Sequence, residues 1–494
     1  MKKIIFLLIL LTFFIGNSQN YENQWAKVIQ YENDLKVKSA NEEVEKIYKK
    51  AESTHNEVQL IKTFFYKSKY SQTLEEDSKS KIISNLQKQI QEVSTPSKAI
   101  LNLIYAKILR DYKRNNYYNI ERRTQLDSTE NADFLTWTLK DFESIINKTY
   151  SNSLENEIIL RRTPLSNYEQ IFDFFSLENF NSTTLYDYVL KENIDYYKYL
   201  IHDWELSEDA KSKITKPLLG LDTEFKTLNF DTISNNSIQK VVQLYQKTDE
   251  HSKINEMDLD RILFCEREII KDKNILLKVL DNFQKRTDDS LLIQKIQFEK
   301  AIIFERQASK EKNKFHNAKA VAVLDSILSS EKKSNAFKKA AQKKYQITLR
   351  ELDIEMQGYS YEKENTRAFV SYKNIDSIKI SFYKAPYSKF NALVEKDSIV
   401  NDFILKNKAH LTKTYRLINL KDYFEYTTEI VLPNLEIGNY IVVITDLNDK
   451  EKKSGIYYEK FQFLILVCWL MKVIQKFFIK HLTENQENQL KIAF

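Results

Sequence analysis

The 494-residue chain is 42% hydrophobic and 29% charged, but it holds only five glycines and five prolines, against averages of about 7% and 5% in globular proteins. Gly16, Gly220, Gly358, Gly438 and Gly455 are never close neighbours, which excludes phosphate-cradling loops, dinucleotide fingerprints and glycine-flanked serine elbows. The net charge of +6 is a small excess over 75 basic and 69 acidic residues, too dispersed to form an electrostatic footprint for nucleic acid.

The N-terminus begins with Lys2 and Lys3, an apolar run from Ile4 to Ile15, and then Gly16-Asn17-Ser18. A basic start, a short apolar stretch and small residues predict a signal peptide over residues 1–18, cleaved after Ser18. The alternative is a retained anchor helix, for which the apolar run is short of the roughly 20 residues a span requires. No cysteine follows the run, so lipid attachment is not indicated. The chain is therefore expected to be exported, to the periplasm or the cell surface, with no transmembrane span in its mature form.

Residues 19–357 read as helical. Phe315, Ala318, Val321, Leu324 and Leu328 recur at steps of three and four, the spacing of one helix face. Ile100, Leu103, Ile104 and Ile108, flanked by Leu101, Tyr105 and Leu109, are apolar around nearly the whole circumference and predict a central helix. Breaks are expected at Pro96, at Pro164, and at Pro217 with Gly220, and at polar gaps such as Lys271–Asn274 and Asp288-Asp289-Ser290. Helix pairs joined in this way predict an α-solenoid of tetratricopeptide type or a non-repetitive helical array.

From Gly358 the period shortens. Ile378, Ile380 and Phe382 alternate with Lys379, Ser381 and Tyr383, and Phe424 to Leu432 alternates likewise, the pattern of half-buried strands. Tyr440 to Thr445 is a continuous strand-forming run, entered through Leu435-Glu436-Ile437-Gly438-Asn439-Tyr440. A Leu-x-x-Gly-x-Tyr step into a strand is the local form of the tyrosine corner of immunoglobulin-like sandwiches, with the Gly turning the chain and the Tyr hydroxyl closing back on the backbone. Residues 358–463 are accordingly expected to form an all-β immunoglobulin-like sandwich, making the whole a multidomain protein, mainly α and then β.

Chemistry-bearing residues are sparse. His55, His202, His251, His316, His410 and His481 have no second histidine at helical ligand spacing, so no metal site is expected. Ser-x-x-Lys occurs at Ser78, Ser309, Ser330 and Ser360, but with no Lys-Thr-Gly partner motif. His202-Asp203-Trp204-Glu205, Glu42-Glu43 and Glu75-Glu76-Asp77 read as solvated surface. Tyr196, Tyr197 and Tyr199 read as helix packing, because no basic groove accompanies them. Cys265, on a face with Ile262 and Ile269, reads as a small buried hydrophobe. A disulfide to Cys468 is the alternative in an oxidising compartment. No catalytic, cofactor-binding or metal-binding residue is assigned, and the chain is expected not to be an enzyme.

Three stretches carry a family resemblance: Thr184 to Tyr197, Val370 to Lys384, and Thr428 to Val443 with its Leu-Pro-x-Leu-x-x-Gly-x-Tyr corner. In this order they resemble the N-terminal part of bacterial alpha-2-macroglobulin-type proteins, in the variant with a long helical leader before the first macroglobulin domain. The resemblance implies an envelope endopeptidase inhibitor that binds and traps proteases. In that family a Cys-x-Glu-Gln thioester can bond the trapped protease covalently. Here Cys265 precedes Glu266-Arg267-Glu268 and Cys468 precedes Trp469-Leu470-Met471, so neither fits. The expectation is a front portion lacking bait and thioester regions, no trap by itself, with proteases as partners of the full-length family and envelope proteins as further partners. Residues 464–494 read as an incomplete or frameshifted start of a second β domain, with Phe477–His481 and Leu490–Phe494 as strand candidates. The competing reading is a secreted helical scaffold whose sandwich binds a protein or glycan.

Overall fold

The computed structural model describes residues 21–74, 78–124, 134–172, 184–202, 204–220, 223–231, 233–248, 255–361, 365–390, 397–448 and 457–464. The expected signal peptide, the stretch 465–494 with Cys468 and His481, and His251, Asp203, Gly455 and Glu75-Glu76-Asp77 lie outside the described residues. By its contacts the chain divides into two compact units between Val279 and Leu280.

The first unit is helical. Helix Val37–Ser53 packs on Glu57–Leu74, Ser78–Glu92 on Thr95–Asn115, and Thr95–Asn115 on Leu139–Asn152. Packing on sequence neighbours is what short polar connections between amphipathic helices produce. Thr95–Asn115 starts with Pro96 in its first turn, where the missing N–H costs nothing. It is central as expected, burying Ile100, Leu101, Leu103, Tyr105, Ala106 and Leu109. The Glu57 carboxylate accepts from the Ser94 backbone N–H (2.7 Å) and hydroxyl (2.6 Å) and from the Ser97 hydroxyl (2.5 Å). A carboxylate from a neighbouring helix thus satisfies this N-terminus and complements its dipole. The break expected at Pro217 with Gly220 is present. Pro217 sits in the last turn of Glu208–Leu219, and the helix stops at Gly220.

In the second unit, helices Ser290–Gln307, His316–Leu328 and Asn335–Thr348 precede the strands, each packed on the next. Asp289 caps the first, accepting from the Leu291 N–H at 2.9 Å. The second presents Asn317, Ala320, Val321, Leu324 and Ile327 to the core. Val321 and Leu324 lie on this face as expected and Ala318 and Leu328 are half-buried beside it, but Phe315 is 55% exposed.

Among the described residues eight strands follow: β1 (Glu351–Met356), β2 (Tyr359–Tyr361), β3 (Arg367–Lys373), β4 (Ser377–Ala385), β5 (Leu411–Arg416), β6 (Glu425–Val431), β7 (Gly438–Asp446) and β8 (Tyr457–Leu464). They form a three-stranded sheet, β1-β3-β6, and a five-stranded sheet, β2-β8-β7-β4-β5. All pairs are antiparallel except β2 with β8. One apolar cluster draws on both sheets, including Leu352, Val370 and Ile430 from the smaller and Ile378, Phe382, Tyr440 and Val442 from the larger. Strand structure begins at Glu351, inside the stretch expected to be helical to Gln357. Leu352 and Ile354 face the core while Glu351, Asp353 and Glu355 face out, and this alternation follows Thr348 with no glycine or proline between.

A helix the strand pattern did not predict, Asp397–Lys406, covers the outer face of the larger sheet. Val400, Phe403 and Ile404 pack with Ala385, Ile441 and Val443. That is why Ser381, expected to face solvent, is buried.

Candidate functional site

Three arrangements in the described residues concentrate polar contacts. The first is the turn into β7. Tyr440 is fully buried and its hydroxyl donates to the Glu436 carbonyl at 2.8 Å, the closure expected of a tyrosine corner. Gly438 plays a different part from the one expected. It does not turn the chain but opens β7, paired with Phe463. A Cβ there would lie 3.2 Å from Lys384 Cε and 3.6 Å from the Tyr440 ring, so the glycine answers a close approach.

The second joins the helices of the second unit to its sheets. Asn374, in the β3–β4 turn at φ 59°, donates its side-chain amide to the carbonyls of Ile347 (3.1 Å) and Leu349 (2.9 Å). These are carbonyls that the end of helix Asn335–Thr348 leaves without intrahelical partners. Asparagine is among the few residues that tolerate this left-handed backbone. Beside it, Arg350 grips Asp446 with two guanidinium nitrogens, one at 2.7 Å, and the Asp446 side chain is fully buried. The Asp446 carboxylate also accepts from the Asn448 N–H at 3.0 Å.

The third lies in the helical unit. Lys198, from Leu185–Tyr199, bonds both oxygens of Asp260 (2.9 and 3.0 Å), which also accepts the Tyr245 hydroxyl at 2.7 Å. Burial pushes the Asp260 carboxyl up, but Lys198, Lys191 and the Tyr245 hydroxyl outweigh it and hold it below the usual carboxylate range. Burial lowers Lys198 despite Asp260, and burial with the Asp260 charge holds Tyr245 well above its ordinary value. An ionised carboxylate with its acceptor sites occupied, a neutral phenol and a paired ammonium tie three helices together.

The sequence-selected residues do not converge. His202 and Glu205 are exposed, and Trp204 donates to Ser234 at 3.2 Å. His316 packs on Phe304, and His410 on Tyr440. Ser78 and Ser360 are buried, and the Ser360 hydroxyl pairs with Thr366. Glu43, expected on a solvated face, is buried and pairs with Lys46 at 2.8 Å. Tyr196 packs as expected, stacked on Tyr150 at 3.9 Å, whereas Tyr199 is 59% exposed. Cys265 is fully buried, and burial pushes its thiol up to about 12, as befits an inert core cysteine. Among the described residues no group of histidine, cysteine and carboxylates stands together as a metal site, and no helix is long and apolar enough to cross a membrane.

Sequence reasoning missed Arg350, Asn374 and Asp446. The only local signal was Asn374 between two alternating runs, a turn residue. No family model matches the chain, and no curated protein does.

Proposed function

We propose that the chain is an exported binding protein, the front portion of an alpha-2-macroglobulin-like protease inhibitor, with a helical leader followed by one macroglobulin-like, immunoglobulin-like sandwich. The observation that carries this reading is the Tyr440–Glu436 closure at 2.8 Å in a region where two sheets share one core. The order of helices before strands supports it, and so does the sequence resemblance around that corner. In this reading the chain binds rather than catalyses. Its targets are proteases of the envelope in the full-length family context, and this chain does not trap them alone.

Two experiments test the proposal. The DNA downstream of the Phe494 codon is expected to continue, in some frame, into further macroglobulin-like sequence, and unrelated sequence there would overturn the family reading. The purified chain is expected to leave a bound protease open to large protein substrates. Shielding from large but not small substrates would overturn the claim that this segment does not trap.

The competing reading, a secreted scaffold whose β region binds a partner directly, is favoured by one feature. β5 is a terminal strand exposed along nearly its whole length.

A further inference from the structure

We propose that the free edge of β5 accepts an extended acidic segment of a partner protein as a sixth strand of the larger sheet. The inference rests on the edge itself and stands whether or not the family reading does.

Among the described residues β5 pairs on one side only, with β4, from Ser377↔Arg416 to Phe382↔Leu411. In the same register the Leu417 N–H donates to the Asp376 carbonyl at 2.8 Å. Hydrogen-bonded and non-bonded positions alternate in an antiparallel pair. Lys413 and Tyr415 therefore turn their backbone groups toward β4, and Thr412, Thr414 and Arg416 turn theirs outward; at the start of the strand the His410 N–H takes the Phe382 carbonyl at 2.7 Å. The strand Leu-Thr-Lys-Thr-Tyr-Arg is free of proline and glycine and rich in strand formers. A row of unpaired N–H and C=O groups is a template for strand addition.

The neighbouring edge is differently placed. The Val431 carbonyl at the end of β6 accepts the Tyr415 hydroxyl at 2.7 Å and the Lys413 ammonium at 3.4 Å. Side chains of β5 thus cover the end of β6, while nothing described covers the outer edge of β5.

Charge selects the occupant. Lys413 lies on one face of β5, and Arg416 lies on the other with Lys379 of β4 opposite Thr414. No described carboxylate ion-pairs with Lys379 or Arg416. A second copy of β5 laid antiparallel would bring two Lys413 and two Arg416 side chains onto one ribbon without an acid, and like charges across a ribbon destabilise it. An acidic strand is attracted by the same groups.

The test uses the full chain and a fluorescent short peptide of alternating glutamate and valine, read by polarisation. Saturable binding is expected, weakening as salt is raised, with the lysine-for-glutamate version about tenfold weaker or worse. Thr414→Pro removes an outward N–H at a position where proline leaves the β4 ladder intact. It is expected to weaken binding by about tenfold with circular dichroism and melting unchanged. Should that variant misfold, Arg416→Glu is expected to weaken the acidic peptide while the fold persists. Equal binding of the lysine peptide would overturn the proposal. So would wild-type affinity in a folded Thr414→Pro or in Arg416→Glu. Absence of binding to the full chain, as when another segment of the chain covers the edge, would overturn it too.

Discussion

The Tyr440 hydroxyl bonds the carbonyl of Glu436, four residues upstream, at 2.8 Å, from a ring with no exposed surface. The bond fixes the approach to β7, the strand that pairs with both β4 and β8. Tyr440→Phe keeps the ring and leaves a backbone acceptor short of a partner, which costs about 1–2 kcal/mol. The urea midpoint of the second unit's transition should fall with the m-value unchanged. Gly438→Ala makes a useful contrast. The nearest atom to the added methyl is the flexible Lys384 Cε at 3.2 Å, so a cost below about 1 kcal/mol is expected.

Arg350 and Asp446 form a buried bidentate pair between the end of the helical segment and the end of β7. Asp446→Ala strips the guanidinium of its partner, and breaking such a pair costs about 3–5 kcal/mol. Because Arg350 retains some exposure, the lower end is expected. Arg350→Lys loses the two-pronged geometry and should fall between wild type and Asp446→Ala. Chemical denaturation of the three proteins checks the order.

Asp260 ionises more readily in the folded chain than in the unfolded one. Its contribution is therefore complete above the ordinary aspartate value of about 4 and is lost as pH falls through the folded value. Lys198 has the opposite balance. Its folded value is lowered, so it opposes folding while protonated at neutral pH and ceases to do so only above the ordinary lysine value. Wild type should lose stability on acidification below about pH 4. Asp260→Asn should be less stable at neutral pH and show a shallower acid loss in urea melts taken at several pH values.

Cys265 lies wholly inside the helical unit with its thiol pushed up to about 12. In a Cys468→Ser background, iodoacetamide at pH 8 is expected to leave the native protein unmodified and to label it stoichiometrically in denaturant. Labelling of native protein at the rate of a free thiol would contradict this burial.

Much of the architecture was legible because burial imposes periodicity. Ile378, Ile380 and Phe382 alternate because one face of β4 meets the shared core, and the middle of Thr95–Asn115 is apolar around most of its circumference because several helices pack on it. The misses have equally physical causes. The alternation of Leu352 and Ile354 follows a helix without punctuation, so the change of period was hidden. Val400, Phe403 and Ile404 do show a helical spacing, but the helix falls among strands and was overlooked. The closure of Tyr440 on Glu436 was readable since both lie within a few residues. Arg350–Asp446 and Asn374 with Ile347 join residues far apart in sequence, and only the folded chain brings them together.

Asn374 has a consequence for cooperativity. Its amide ends helix Asn335–Thr348 from within a β-turn, and Arg350 clamps the next residues to β7. Helix end and sheet cannot open separately without stranding each other's polar groups. Hydrogen exchange should therefore give the last turn of that helix and the β3–β4 turn a common opening free energy. Proteases should find no early cleavage site between Thr348 and Glu351, although a helix-to-strand passage is where a nick would ordinarily be sought.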